Sequence, residues 1–354
     1  MSAALWKGRR VLLTGHTGFK GGWLATWLKD MGAQVTGLAL APPTRPSLFE
    51  LARVAEGMDS RIGDIRDAEA LASLVAKTRP EVVFHLAAQP LVRRSYVDPL
   101  ETFSTNVMGT ANLLEAIRRH SMATRAIVVV TTDKCYENRE WVWGYRETDP
   151  LGGHDPYSSS KAGTEIVAAC YAKSFFHGAG APALATARAG NVIGGGDWAA
   201  DRLVPDLVRA SETSAALTIR YPQAIRPWQH VLDPLAGYLR LAELLWEHGP
   251  QSPYAGAFNF GPGEAGLKPV SWIADRFLHA WQGGASWHTD ATAQPHEAGI
   301  LKLDWSKAAH LLGWRPGIEI GAAIGHVVEW HKACIAGQDM RQFTAAQIAA
   351  YQQT

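Results

Sequence analysis

Tyr157 and Lys161 stand four residues apart in YSSSK, at the start of a stretch with helical spacing, so their side chains share one face about one turn apart. An ammonium at that distance favours tyrosinate, and tyrosinate can take the proton of an alcohol as hydride leaves the same carbon. Thr132 adds a hydroxyl able to orient that oxygen, at the carboxyl end of the apolar run AIVVV, where open α/β sheets place their ligands. Asp133 and Lys134 follow directly. They are either a solvated, salt-bridged loop or a second acid and base. A simple alcohol oxidation has no use for such a pair, whereas elimination of a hydroxyl, once oxidation has made the neighbouring carbon acidic, needs both. For Lys134 to act as the base its ammonium must give up a proton that ordinarily leaves near pKa ~10.4, which takes burial or a neighbouring cation.

Hydride needs an acceptor, and the sequence offers a place for one. Gly15, Gly18 and Gly21 follow the apolar run VLLTG in GHTGFKG, where absent side chains permit a tight turn, close approach of a pyrophosphate and tight helix packing. The helix that starts there turns its free N–H groups toward the phosphates, with His16, Thr17, Phe19 and Lys20 completing the turn. His85 through Gln89, in HLAAQ, leave another strand and run beside the same cofactor, which assigns Leu86, Ala87, Ala88 and Gln89 to its site. Asp64, with Ile65 in GDIRD, is a partner for the adenine region or a solvated turn aspartate. The second strand ends at Leu38, Ala39 and Leu40 without the acid that would hold an adenosine ribose, so the usual sequence basis for preferring NAD over NADP is missing. Arg45 is a weak candidate for a 2′-phosphate.

Strands and helices alternate around these residues. A strand at residues 10–14 leads into a helix over GWLATWLKDMG and the strand AQVTGLAL; a helix over DAEALASLVAKT and the strands EVVFHLA and RAIVVVTT continue the pattern, with helices from Val107 to His120 and from Tyr157 to Phe176. This predicts an α/β fold: a Rossmann-like parallel sheet with helices on both faces over residues 1–190, and a smaller C-terminal substrate-binding lobe over 191–354. The segment 230–250, with a helix around Pro234 to Trp246, is expected to return to the first domain, and the chain from about Ser252 to complete the lobe. A last helix near Ile318 to His331 leaves a polar, glutamine-bearing tail expected to be mobile.

Composition narrows the alternatives. The 354 residues are 47% hydrophobic and 19% charged, with 34 Gly and 19 Pro that form no repeat, which excludes a coiled coil, collagen and a wholly disordered chain. A net charge of +1 gives no broad positive field for nucleic acid or anionic membrane. Cys135, Cys170 and Cys334 are too dispersed for a CxxC pair or a disulfide framework, and no run reaches the ~18 apolar residues of a membrane span, so a cytoplasmic location is expected. The histidines form no HExxH or compact Cys/His set; no metal is expected, and His154 reads as a loop residue.

The chain resembles the extended short-chain dehydrogenase/reductase family of nucleotide-sugar enzymes along nearly its whole length: GHTGFKG, PPTRPSLFE, FHLAAQPLVRRSY, TTDKCYEN, YSSSK, GNVIGGGDW, RPWQHVLDPL and LKLDWSKA. Within that family, Lys after the acid at 133–134 resembles the 4,6-dehydratases that take CDP-glucose; relatives acting on dTDP-glucose or GDP-mannose generally carry glutamate there. The resemblance implies tightly held NAD, alcohol oxidation by Thr132, Tyr157 and Lys161, Asp133 as acid at the departing C6 hydroxyl, and Lys134 at C5. It implies a cofactor site that also takes in Asn106, Thr131 and Asn191, with Tyr157 and Lys161 shared. Asn191 is placed near the sugar diphosphate. Gln89, Arg93, Arg94, Arg202, Arg226, Trp228 and His230 are the remaining substrate candidates, with solvation for the arginines and interlobe packing for Trp228 as plain alternatives. A homodimer or homotetramer is expected, its helices 107–120 and 157–176 meeting a second copy. An epimerase would share Tyr157 and Lys161 without needing Asp133 and Lys134, and a noncatalytic NAD or nucleotide-sugar sensor would need only the glycine turn.

Overall fold

The computed structural model describes residues 3–290 and 299–353. Strand β1 (Arg10–Thr14) enters α1 (Phe19–Asp30), which returns to β2 (Gln34–Ala39); β3 (Asp59–Ile62), α2 (Ala68–Thr78) and β4 (Val82–His85) follow. Short helices at Val92–Val97 and Pro99–Phe103 and a π-turn at Ser104–Met108 then lead to α3 (Gly109–His120), β5 (Ala126–Val130), α4 (Pro156–Ser174) and β6 (Ala183–Ala189). The remainder supplies α5 (Leu203–Thr213), α6 (Leu232–His248), β7 (Ala257–Phe260), α7 (Val270–Trp281), α8 (Ile320–Ile335) and α9 (Met340–Gln352).

Seven strands form one sheet in the order β7-β6-β5-β4-β1-β2-β3, and every pairing between neighbours is parallel. The order reverses between β1 and β4, so a crevice opens beyond their carboxyl ends. Strand β5 shows why the sheet is covered on both sides. Ala126, Val128 and Val130 pack into the core under one face, with Trp23, Trp27 and Leu239, while Ile127 and Val129 pack into the other, with Leu71, Leu113 and Leu184. A strand buried on both faces reads as a continuous apolar run, as AIVVV does.

A third core forms the lobe, where Ile193, Val204 and Leu207 meet Phe277, Ile324 and Val327. Helix α6 packs Leu235 and Leu239 into the first core. Two expectations need correction. The chain after Ser252 does not go wholly to the lobe: β7 pairs with β6 as the seventh strand. Nor is the C-terminus a loose tail, because α9 docks on the first domain through Trp27 against Tyr351, Arg53 with Asp339 and Arg341 with Glu56.

Candidate active site

The end of β5 and the start of α4 meet in the crevice. Thr132 is extended (φ −151°, ψ 160°) and caps a single 3₁₀ turn, Asp133–Cys135: its Oγ1 accepts from the Lys134 N–H at 3.3 Å and donates to Asp133 Oδ1 at 2.9 Å. Asp133 is buried, and its Oδ2 has no hydrogen-bond partner among the described residues. That oxygen lies against Gly190, where a Cβ would overlap it. Lys134 is half-buried on the same turn.

Helix α4 is started firmly. Asp155 accepts from the Ser158 N–H at 2.9 Å, Pro156 occupies its first turn, and the Tyr157 N–H donates to Ser95 Oγ at 3.1 Å. Burial pushes the Tyr157 phenol up to about 12, against a hydrogen bond from Thr132 and the Arg202 guanidinium, which pull it down. Burial lowers Lys161 to about 8, opposed chiefly by Glu165 one turn further on. The Lys161 Nζ donates to the Val130 carbonyl at 3.4 Å.

The glycine turn fits a dinucleotide. Gly15 has φ +82°, a Cβ there would lie 2.7 Å from the Ala87 nitrogen, and one at Gly21 would overlap the Gly15 carbonyl. Gly18 caps α1 without a side-chain hydrogen bond, which leaves first-turn N–H groups for a phosphate. Thr17 Oγ1 donates to the Leu40 carbonyl at 2.8 Å, tying the turn to the end of β2 where the ribose-binding acid is missing. His16 is fully buried, lowered by burial to about 4 and therefore neutral, with Nε2 2.8 Å from Ser60 Oγ. Phe19 packs on the first core. Lys20 is lowered to about 7 by burial and then by Arg202 and Lys161, and it also feels Asp133 and Asp197, which places it at the crevice.

Several of the expected cofactor-site residues have partners within the protein. Asn106 accepts from the Gln89 N–H at 2.8 Å and donates to the Gln89 carbonyl and Ser160 Oγ, so it braces the loop that carries Leu86, Ala87 and Ala88. The Gln89 side chain turns back to Leu91 and Thr102. Thr131 donates to Glu165. Ile65 is buried against Gly109. Asp64 is occupied by Arg66, whose side-chain hydrogen bond at 2.5 Å holds the carboxyl below its usual range. Arg45 pairs with Glu50 at 3.7 Å.

Of the substrate candidates, Arg202 is held by Asp197 at 2.9 Å close enough to act on Tyr157 and Lys20, and Asn191, with φ +21°, follows the end of β6. Arg226 is buried on the lobe and donates to the Ile225 and Gly299 carbonyls. Two assignments, His230 and Trp228, are corrected. His230 is fully buried, lowered to about 3, and packed on Trp23 and His326, so it is a neutral core residue. Trp228 is buried in the lobe core, donating to the Lys268 carbonyl at 3.0 Å, because its large apolar area is spent on packing. Arg93 pairs with Asp201 at 3.3 Å, and Arg94 pairs with Glu101 at 3.0 Å beside its own helix. The sequence reading passed over Glu165, Arg188, Asp197 and Ser95, which position the site from behind; Glu165 four residues after Lys161 was the available signal.

The family model for GDP-mannose 4,6 dehydratase matches residues 12–244. A CDP-glucose 4,6-dehydratase of Salmonella typhimurium is 52% identical over 353 residues, 98% of this chain and 97% of that protein. Among solved structures, a UDP-glucose 4-epimerase of Thermus thermophilus in complex with NAD is similar with a TM-score of 0.76 at 26% identity, covering 91% of this chain and 99% of that one. A dTDP-glucose 4,6-dehydratase of Bacillus anthracis in complex with NAD shares the fold, with a TM-score of 0.75 at 19% identity over 94% of this chain and all of the other (100%).

Proposed function

The chain belongs to the GDP-mannose 4,6-dehydratase family, and from that premise we infer that it is an NAD-dependent lyase converting CDP-D-glucose to CDP-4-dehydro-6-deoxy-D-glucose and water. The observation that carries the reading is the placement of a second acid and base, Asp133 and Lys134, on the turn that begins with Thr132 and faces Tyr157. CDP rather than another nucleotide rests on the full-length likeness to the Salmonella protein of that name.

NAD, when bound on the Gly15–Gly21 turn, supplies the acceptor for hydride from C4 and its return to C6. Thr132 orients the C4 hydroxyl and Tyr157 takes its proton, with Arg202 and Lys161 as the nearby cations. Lys134 removes the C5 proton, now acidic beside a carbonyl, and later returns it. Asp133, through the unpartnered Oδ2, gives a proton to the departing C6 hydroxyl. Helix α1, capped by Gly18, offers N–H groups to phosphate, and Arg202 offers a planar donor fork to the sugar diphosphate.

The partner most compatible with the surface is a second copy. Tyr96, Val97, Leu100, Met108 and Ile166 are exposed apolar residues on adjoining elements, the 92–108 segment and α4, and a patch of that kind marks an association surface. Sedimentation of Leu100→Glu beside the wild type tests a homodimer there; unchanged assembly would remove the patch from consideration. A cytoplasmic location belongs to the same proposal, supported by three free cysteines and tested by cell fractionation.

The test of function is mass spectrometry of CDP-glucose, dTDP-glucose, GDP-mannose and UDP-glucose incubated separately with protein and catalytic NAD. Loss of one water from CDP-glucose alone is expected. Water loss from another donor instead would overturn the substrate, and unchanged mass with inverted C4 stereochemistry would replace dehydration by epimerisation.

A further inference from the structure

The turn that carries Asp133 and Lys134 is short, held within itself by the two hydrogen bonds of the Thr132 side chain and by two long backbone ones, Cys135 N–H to the Thr132 carbonyl at 3.3 Å and Tyr136 N–H to the Asp133 carbonyl at 3.4 Å. Its flanks are tied elsewhere, and both to one buried ion pair. Before the turn, Thr131 Oγ1 donates to Glu165 Oε1 at 2.5 Å. After it, the Tyr136 hydroxyl accepts from Arg188 Nη1 at 2.7 Å, and the guanidinium carbon lies 4.8 Å from the Tyr136 ring centre. Arg188 Nη2 closes the circuit with Glu165 Oε2 at 2.8 Å, an oxygen that also accepts from Thr186 at 2.7 Å. The Tyr136 hydroxyl donates onward to Asn259 Oδ1 at 2.7 Å. Asn259 in turn donates to the Tyr145 and Asp304 carbonyls.

Stability alone does not account for such a pair. The Arg188 and Glu165 side chains are 4% and 3% exposed, and taking two charges that far from water offsets most of their attraction, so well-packed apolar replacements are often neutral or better. The strands do not require it either: β5 and β6 are already joined by a continuous parallel ladder from Ala126 to Val130. What the guanidinium offers is geometry, since its planar fork fixes two acceptors at once, one on α4 and one just past the turn.

We propose that Glu165 and Arg188, acting through Thr131 and Tyr136, form a bracket that positions Asp133 and Lys134 for the dehydration half of the reaction. This rests on the dehydratase reading above. Of the oxidation half, the proton acceptor is anchored separately, because Tyr157 is fixed by the Asp155 cap and by Ser95 at the start of α4, while Thr132 shares the turn. Asp133 and Lys134 depend on the turn and its flanks, and a displacement of about 1 Å at a reacting group costs on the order of 100-fold in rate. Tyr136, Glu165 and Arg188 are positioning residues; none is placed against substrate.

The test separates the two halves in the holoenzyme with NAD. Water loss is followed with CDP-glucose, and oxidation alone with CDP-xylose, which has a C4 hydroxyl but no C6 hydroxyl to lose, read at 340 nm. Tyr136→Phe, nearly isosteric, and Arg188→Lys, which keeps the charge but not the fork, are compared with Thr186→Val, which removes a donor from Glu165 without touching the turn. The expected result is water loss slowed on the order of 10- to 100-fold in the first two, with KM and CDP-xylose oxidation within about threefold of wild type, while Thr186→Val stays within about threefold in both assays. Melting temperatures of all three report folding. Water loss in Tyr136→Phe no slower than in Thr186→Val, or CDP-xylose oxidation falling in step with it, would overturn the bracket. Wild-type protein that oxidises CDP-xylose yet takes no water from CDP-glucose would overturn the functional reading itself, and the bracket with it.

Discussion

Beneath the crevice Glu165 and Arg188 meet at 2.8 Å, nearly out of reach of water; at its rim Arg93 and Asp201 meet at 3.3 Å with 53% and 42% of their side chains exposed. The residue types are alike and the physics is opposite. Beneath the crevice, low dielectric makes each charge depend on its partner, so the pair holds a geometry that a solvated pair would let drift. At the rim, water competes for both groups and the ion pair is worth little. The buried side is therefore where changes should be costly and specific, and the rim is where they should be mild.

The largest effect belongs to the reacting group itself. Tyr157→Phe removes the proton acceptor while keeping the ring that fills the site, and oxidation of CDP-glucose should fall by about 10²- to 10⁴-fold with nucleotide affinity little changed, as stopped-flow and equilibrium binding would show. A fall of less than tenfold would mean that another group takes the proton.

Next in size is the buried pair. Glu165→Ala leaves Arg188 charged and unpartnered by carboxylate, and urea unfolding should report a loss of about 3–5 kcal/mol. The double variant Glu165→Leu with Arg188→Met should recover most of that stability, because it removes both desolvation costs together, yet it should not recover water loss. Recovery of both would erase the distinction between the buried pair as geometry and the buried pair as glue.

A third contrast is a buried acid whose hydrogen-bond donors among the described residues are two backbone N–H groups and a phenol. Asp233 accepts from the Gly317 N–H at 2.8 Å, the Ile318 N–H at 3.4 Å and the Tyr351 hydroxyl at 3.0 Å, and burial still raises it to about 6. Because its folded value lies above the ordinary ~3.9, its contribution to stability is full below pH ~4 and is lost as pH rises through about 6. The difference in unfolding free energy between wild type and Asp233→Asn should change by up to about 3 kcal/mol across that window. A flat difference would mean that the carboxyl titrates in the fold as it does in water.

Much of this is legible in the sequence. The glycine turn, the Tyr157–Lys161 spacing and the run AIVVV each obey a local rule, so turn, helix face and buried strand could be read from a few adjacent residues. Strand β7 could not, because AFNF is four residues long and carries Asn259, whose burial makes sense only once Tyr136, Tyr145 and Glu147 surround it. Helix α9 escaped for a related reason: its small and polar residues give a weak stripe, and Tyr351 becomes an anchor only through Asp233 and Trp27, 118 residues and more away in sequence. His230 and Trp228 show the converse error. Their types suit a ligand as well as a core, and only their burial decides between the two.

The smallest expected effect is at the rim, and it tests the comparison from the other side. Arg94 and Glu101 meet at 3.0 Å with 50% and 29% of their side chains exposed, both on the short helices at 92–103. Two long side chains must give up rotamers to meet, and water already solvates half of the guanidinium, so Arg94→Ala should cost less than about 1 kcal/mol of stability. KM for CDP-glucose should stay within about twofold, because Glu101 engages the fork that a diphosphate would require. A tenfold rise in KM with unchanged stability would show that Arg94 leaves Glu101 for the substrate. The rim would then be part of the binding surface, and exposure would no longer separate the charges that act on ligand from those that only meet water.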